Sequence, residues 1–189
     1  EDANIIVVKQ TDPDGDPTSF EFDPSYAANF FLTDDNSNDS GDLSPGTYSV
    51  SEIVPAGWDL TSAICSDGSA IDSISLQAGE TVTCTFTNQK DAFIIVDKVT
   101  DPAGDPQSFS FNTTGTGYSG FSLTDAATPN NSGDLTPGTY SVAEVLPVGW
   151  DAGTTNCVSS IGDTETAGSL DLDAGETITC TFNNQKDAF

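Results

Sequence analysis

The sequence predicts an all-β chain of two tandem β-sandwich domains, and three observations carry that prediction. First, one pattern occurs twice: TYSVSEIVPAGWDL at 47–60 returns as TYSVAEVLPVGWDA at 139–152. Second, within each copy short runs of Val, Ile, Thr, Tyr and Phe alternate with Gly, Pro, Asp and Asn turns, as strands joined by reversals do. Third, no stretch sustains a helical period. The copies run from about Asn4 to Lys90 and from about Phe93 to Lys186, which sets domain boundaries at 1–90 and 91–189 of the 189 residues. Ile5 matches Ile94, Trp58 matches Trp150 and Cys84 matches Cys180, so the offset grows from 89 to 92 to 96. Small insertions in surface loops explain the growth, and loops are expected near 23–29, 34–40 and 66–75. The copies join through NQKDAFIIV without a Gly/Ser/Pro linker, which predicts a short, stiff hinge. Asp187, Ala188 and Phe189 repeat the DAF of 91–93 and read as the start of a third copy.

The elements follow in order. The first strand is Ile5–Lys9, repeated from Ile94. In the second copy Ile94, Val96 and Lys98 share one face while Ile95 falls with Asp97. The face with Asp97 is the wetter one, so Ile94, Val96 and Lys98 point to the core, and so by register do Ile5, Val7 and Lys9. After the turn TDPDGDP comes a strand with Phe20 and Phe22 inward, matched by Phe109 and Phe111. Phe30 and Leu32 follow, matched by Phe121 and Leu123. SGDLSPGTY reverses the chain. The next strand places Tyr48, Val50 and Glu52 on one face, matched by Tyr140, Val142 and Glu144; PAGW closes it, and Trp58 is expected to cap the core. The last strand is Thr81–Asn88, with Val82, Cys84, Phe86 and Asn88 on one face and Ile178, Cys180, Phe182 and Asn184 in the repeat. About seven short strands in ~90 residues predicts an immunoglobulin-like or prealbumin-like sandwich.

Composition excludes several function classes. Thirty acidic residues against four basic ones give a formal charge of −26, and phosphate recognition needs clustered Lys and Arg, so nucleic acid is no partner. Such a surface is self-repelling and soluble, or it collects cations. The absence of histidine removes His-based metal sites and triads. No apolar run approaches the ~20 residues of a membrane helix, and neither a signal peptide nor an anchoring motif is visible, so an exported protein would be represented here by a mature segment.

Three polar residues share core-facing positions in each copy: Lys9, Glu52 and Asn88, then Lys98, Glu144 and Asn184. Two of the four basic residues are spent here. One reading is a buried ion pair whose hydrogen bonds an amide completes. The other is chemical. An amine in an apolar site loses its proton readily and becomes a nucleophile. The neighbouring carboxamide carbon is an electrophile, and a Glu raised by burial can shuttle the proton. Loss of ammonia leaves a Lys–Asn isopeptide bond between first and last strands, once per domain and without turnover, so the chain is not an enzyme.

At these residues the chain resembles the collagen-adhesin B-type, prealbumin-like domains of bacterial surface adhesins and pilins. The matching residues are the Lys of IIVVKQ, the Glu of TYSVSEIVPAGW and the Asn of CTFTNQK, again as IIVDKV, TYSVAEVLPVGW and CTFNNQK. The resemblance covers both copies, and PGTYxVxExxPxGW is its most specific stretch. It implies an extracellular stalk or fibre of sandwich modules, often with internal Lys–Asn bonds catalysed by the acidic residue. A cysteine pair in each copy departs from many cross-linked relatives, and a disulfide in place of the isopeptide is the alternative.

Four cysteines allow three connectivities. Cys65–Cys84 and Cys157–Cys180 are the simplest, because each copy should fold alone; two buried thiols per domain are the other reading. Paired cysteines point to an oxidising, extracellular or cell-surface location. No cofactor is required. Asp12, Asp14 and Asp16 in DPDGD resemble the opening of a Ca2+ loop, but the downstream Glu is missing and the second copy reads DPAGD, so a plain acidic turn competes. Asp34, Asp35, Asp39 and Asp42 form a looser cluster with the same ambiguity. Asn38, Asn112 and Asn130 open glycosylation sequons, and Ser and Thr offer O-linked positions, so covalent glycans are candidate partners. The expected function is a structural segment of an extracellular fibre or stalk, associating with itself head to tail in a linear array. The alternative is an adhesin module binding a surface ligand or glycan, which would need an exposed aromatic groove or apolar patch.

Overall fold

The computed structural model describes residues 2–188. The tail reading at Phe189 therefore lies outside the described residues. The chain divides into two compact units between Lys90 and Asp91, and each is described by itself. Among the described residues no helix is long and apolar enough to cross a membrane.

Unit 1 contains β1 (Asn4–Asp12), β2 (Phe20–Pro24), β3 (Phe30–Leu32), β4 (Ser37–Asp39), β5 (Gly46–Tyr48), β6 (Val50–Ile53), β7 (Trp58–Cys65), β8 (Ile74–Leu76) and β9 (Thr81–Lys90). One layer has the order β4-β1-β9-β7; the other is built from β3-β2-β6 and β5-β8. The first and last strands are neighbours. They run parallel from Asn4 opposite Thr81 to Asp12 opposite Gln89.

Unit 2 repeats this with β10 (Phe93–Asp101), β11 (Phe109–Thr114), β12 (Phe121–Leu123), β13 (Asn130–Asn131), β14 (Gly138–Val145), β15 (Trp150–Ser159), β16 (Leu170–Leu172) and β17 (Thr177–Lys186). Its layers are β13-β10-β17-β15 and β12-β11-β14-β16. β14 is continuous where β5 and β6 are separated at Ser49, yet it serves the same two neighbours: its first half pairs with β16 and its second with β11.

The two-residue period accounts for the core. In β1 Ile5, Val7 and Lys9 are buried, and in β9 Val82, Cys84, Phe86 and Asn88 are. The layers meet through edge-to-face rings, Phe22 on Phe86 and Phe20 on Trp58, each with centroids 5.1 Å apart. Phe111–Phe182 and Phe109–Trp150 repeat both contacts at 5.1 Å. Each such ring contributes on the order of 1.5–3 kcal/mol by leaving water. Trp58 and Trp150 follow turns whose Gly57 and Gly149 have φ of 85° and 87°, a conformation open to glycine without cost.

Two expected loops hold strands. Residues 34–40 contain β4, which pairs antiparallel with β1. Its SND sequence has no apolar alternation because it is a short edge strand fastened by its backbone. Residues 66–75 end in β8, where Ile74 and Leu76 are fully buried against the core.

Candidate functional site

The polar set expected inside each unit is positioned by three strands. Lys9 stands opposite Phe86 in the β1–β9 ladder. Asn88, two residues further along β9, lies on the same face. Glu52 comes from β6 in the other layer, opposite Phe22. The structure brings all three together. Lys9 Nζ donates to Asn88 Oδ1 at 2.8 Å and to the carbonyl of Gln10 at 2.6 Å, with a longer contact of 3.4 Å to the carbonyl of Phe86. It stands 3.7 Å from Glu52 Oε1, and both side chains are 0% exposed. The Phe20 ring lies 4.1 Å from the amine. Among the described residues, neither Glu52 oxygen nor Asn88 Nδ2 finds a hydrogen-bond partner, and all three atoms are buried. The site therefore holds a carboxylate that faces the lysine at ion-pair distance without a hydrogen bond, and an amide N–H2 that donates to no described residue.

Unit 2 has the same residues with the contacts distributed differently. Lys98 Nζ donates to the carbonyls of Val99 at 2.9 Å and Phe182 at 3.0 Å, and stands 3.5 Å from Glu144 Oε1. Asn184 Nδ2 donates to Glu144 Oε2 at 2.8 Å. The amide engages the amine in unit 1 and the acid in unit 2.

Burial sets the protonation tendencies. It pulls Lys9 below the ordinary lysine range, against the opposing pull of Glu52 and Asp34, and it pulls Lys98 down against Glu144. It pushes Glu52 above the ordinary carboxylate range, outweighing the stabilising contacts of Asn88 and Lys9. In unit 1 both directions weaken the charged forms of amine and acid.

The remaining two cations were not singled out by sequence. Lys90 pairs with Asp16 at 2.8 Å and Lys186 with Asp105 at 2.7 Å, each with Nζ 5.6 Å from the ring of Trp58 or Trp150. The signal available was the repeated NQK ending each copy. Each of the four lysines thus stands no more than 3.7 Å from a carboxylate oxygen.

The cysteines form Cys65–Cys84 and Cys157–Cys180, joining β7 to β9 and β15 to β17. Each staples the terminal strand that carries the amide.

A family model described as a prealbumin-like fold domain matches residues 5–90 and again 94–186. The chain belongs to this prealbumin-like family. No curated protein matches it. Among solved structures, the TIE protein of Bacillus anthracis is 21% identical with a TM-score of 0.42; the match covers 98% of this chain, which spans only 34% of that one. The major pilin T-13 of Streptococcus pyogenes is 14% identical over 97% of each chain, with a TM-score of 0.41. A C-terminal fragment of the pilus adhesin SpaC of Lactobacillus rhamnosus GG is 15% identical over 100% of this chain and 99% of that one, at 0.35. At these scores the likeness carries no functional inference, and the prealbumin-like assignment rests on the family match.

Other predicted positions fall apart or fall outside the core. Asp12, Asp14 and Asp16 do not converge as one group. Asp12 accepts from Gln89 at 2.9 Å, Asp16 pairs with Lys90, and Asp14 joins Asp34 and Asp35. Asp34 is a turn clasp: its two oxygens accept the backbone N–H groups of Thr11 at 2.6 Å and Gly15 at 2.7 Å. Asp125 does the same for Thr100 and Gly104. Asp39 lies in β4 and bonds Asn4 and the backbone of Gly41; Asp42 is exposed. Of the sequon residues, Asn112 is exposed on β11, while Asn38 on β4 and Asn130 on β13 are half-buried edge-strand positions.

Proposed function

We propose that this chain is a load-bearing segment of an extracellular fibre or stalk, and that each unit closes a Lys–Asn isopeptide bond, Lys9–Asn88 and Lys98–Asn184. The observation that carries the proposal is the same amine, acid and amide buried between the first and last strands of both units. A neutral Lys Nζ attacks the Asn Cγ, one bond from the Oδ1 it already contacts in unit 1. The Nζ–Cγ bond forms and the Cγ–Nδ2 bond breaks. Glu52 or Glu144 gives a proton to the amide as charge develops and recovers one from Nζ, and Nδ2 leaves as ammonia. The acid ends as it began, and the reaction occurs once.

The parallel neighbours β1 and β9 give the bond its mechanical sense. A pull entering through β1 and leaving through β9 would cross at Lys9–Asn88, so the residues between them would carry no tension. The disulfide ties β9 to β7 as well, which suits an oxidising exterior. Head-to-tail association with further copies completes the fibre reading. Intact-mass measurement tests it: each bond should lower the mass by ~17 Da, the ammonia released in the displacement, beyond the disulfide hydrogens. A mass equal to the disulfide-bonded sequence would reject the cross-link.

A further inference from the structure

The two units are near-copies, so a place where one has gained charge without gaining a partner is informative. The loop before β16 is such a place. In unit 1 Ser69 Oγ accepts the N–H of Ser75 at 3.1 Å, and Glu80 Oε2 accepts the N–H of Gln77 at 2.8 Å. Ser69 also bonds Asp67 through its N–H at 3.0 Å and its hydroxyl at 2.5 Å. In unit 2 the same frame returns 96 positions later, marked by the bridges Ala70–Ser73 and Thr166–Ser169. Asp171 N–H donates to Glu165 Oε2 at 3.0 Å and Asp173 N–H to Glu176 Oε2 at 2.8 Å. The backbone roles are kept, but a serine has become Glu165.

That one replacement puts a third carboxylate where unit 1 has a serine hydroxyl. One oxygen from each of Asp163, Glu165 and Glu176 lies within 4.8 Å of the other two. Glu165 is 9% exposed and Glu176 is 0% exposed. Glu176 Oε1 is buried with no hydrogen-bond partner among the described residues, so a wholly buried acid presents an unsatisfied oxygen beside two more acids. A buried, unpaired charge is costly, and among the described residues none of the four lysines pairs with this cluster. The Asp14, Asp34 and Asp35 group differs, because backbone N–H groups take both oxygens of its buried member, Asp34.

We propose that Asp163, Glu165 and Glu176 bind one hard divalent cation, calcium, in unit 2 alone. Carboxylate oxygens of mixed reach suit calcium, which accepts irregular oxygen coordination and fills open positions with water; magnesium demands a closer octahedron. Asp163 is exposed, so water and ion can enter from its side. The competing way to relieve the crowding is a proton: burial first, then the carboxylates of Asp163 and Glu176, hold Glu165 above the ordinary range.

Calorimetric titration of CaCl2 into the full chain at pH 7 and 0.15 M KCl distinguishes the two. One calcium per chain is expected, with the unit 2 melting transition rising on calcium and falling in chelator. Glu165→Ser installs the residue with which unit 1 builds the same turn, and should weaken binding tenfold or more while the transition in chelator is retained. Glu176→Gln, which keeps an acceptor for Asp173, should do the same. Ser69→Glu should create a second site in unit 1. Absence of saturable binding at pH 7 would overturn the proposal in favour of the proton, and undiminished binding in both loss variants would overturn it in favour of diffuse attraction to the acidic surface.

Discussion

Glu52→Gln is the most informative single change. The glutamine has the shape of the acid and keeps an oxygen facing the amine, but it cannot carry a proton between amine and amide. Unit 1 should therefore fold and stay open at Lys9–Asn88. The bond would close a loop between residues 79 apart, and the chain-entropy relation for cross-links puts that constraint at about 4–5 kcal/mol. In a unit of this size each kcal/mol moves the melting temperature by roughly 4–8 °C, so the loss is on the order of 20–30 °C. Unit 2, with its own triad, is the internal standard. Calorimetry should show one transition falling by that amount and the other unmoved. Mass spectrometry should show the wild-type chain ~34 Da and the variant ~17 Da below the disulfide-bonded sequence, one ammonia per bond. A variant that still loses two ammonias would refute the role given to the acid. A variant that loses one while both transitions stay in place would refute the claim that the bond supports the unit.

Three further outcomes follow from the same contacts. Asp34→Asn removes the charge and one of the two acceptors that hold the N–H groups of Thr11 and Gly15, and should cost unit 1 about 2–3 kcal/mol by chemical denaturation. Those N–H groups overcome the opposing effect of burial and hold Asp34 below the ordinary carboxylate range, so its contribution is present above the unfolded Asp value near ~3.9 and lost as pH falls through the lower folded value; an acid titration of unit 1 stability should lose that limb in the variant. Replacing both Cys65 and Cys84 by alanine frees a loop with a sequence separation of 19 and should cost about 3 kcal/mol, read as a lower unit 1 melting temperature with unit 2 unchanged. Gly115→Ala should destabilise unit 2 by about 2 kcal/mol or more, since Gly115 has φ of 110° and an added Cβ would meet the Tyr140 ring; calorimetry checks which transition moves.

The parts of this fold that are legible in sequence are those governed by a two-residue alternation. Ile94-Ile-Val-Asp-Lys98 assigns its own faces because Asp97 marks the wet side, and the assignment puts Lys98 in the core, as Lys9 is. The triad was readable for the same reason, each member sitting in register with apolar neighbours. Ser37–Asp39 was not readable as a strand, because an edge strand held by backbone pairing needs no hydrophobic face. The clasp of Asp34 was hidden because its partners are peptide N–H groups, which every residue but proline carries. The DPDGD reading took closeness along the chain for closeness in space, whereas Asp12 and Asp16 are drawn to Gln89 and Lys90 at the far end of β9. The carboxylate meeting in unit 2 needed both the fold and the other unit: Glu165 and Glu176 stand eleven positions apart, and only the comparison with Ser69 shows what changed.

The brevity of the passage from β9 to β10 has a consequence for how the repeats avoid one another. β10 begins with the same apolar alternation as β1, so it is a plausible wrong partner for β9. Side-by-side parallel strands require a crossover of a dozen or more residues, and only Asp91 and Ala92 separate Lys90 from Phe93. The strand that follows β9 cannot double back to lie parallel beside it. Spacing alone thus keeps β10 from standing in for β1 beside β9.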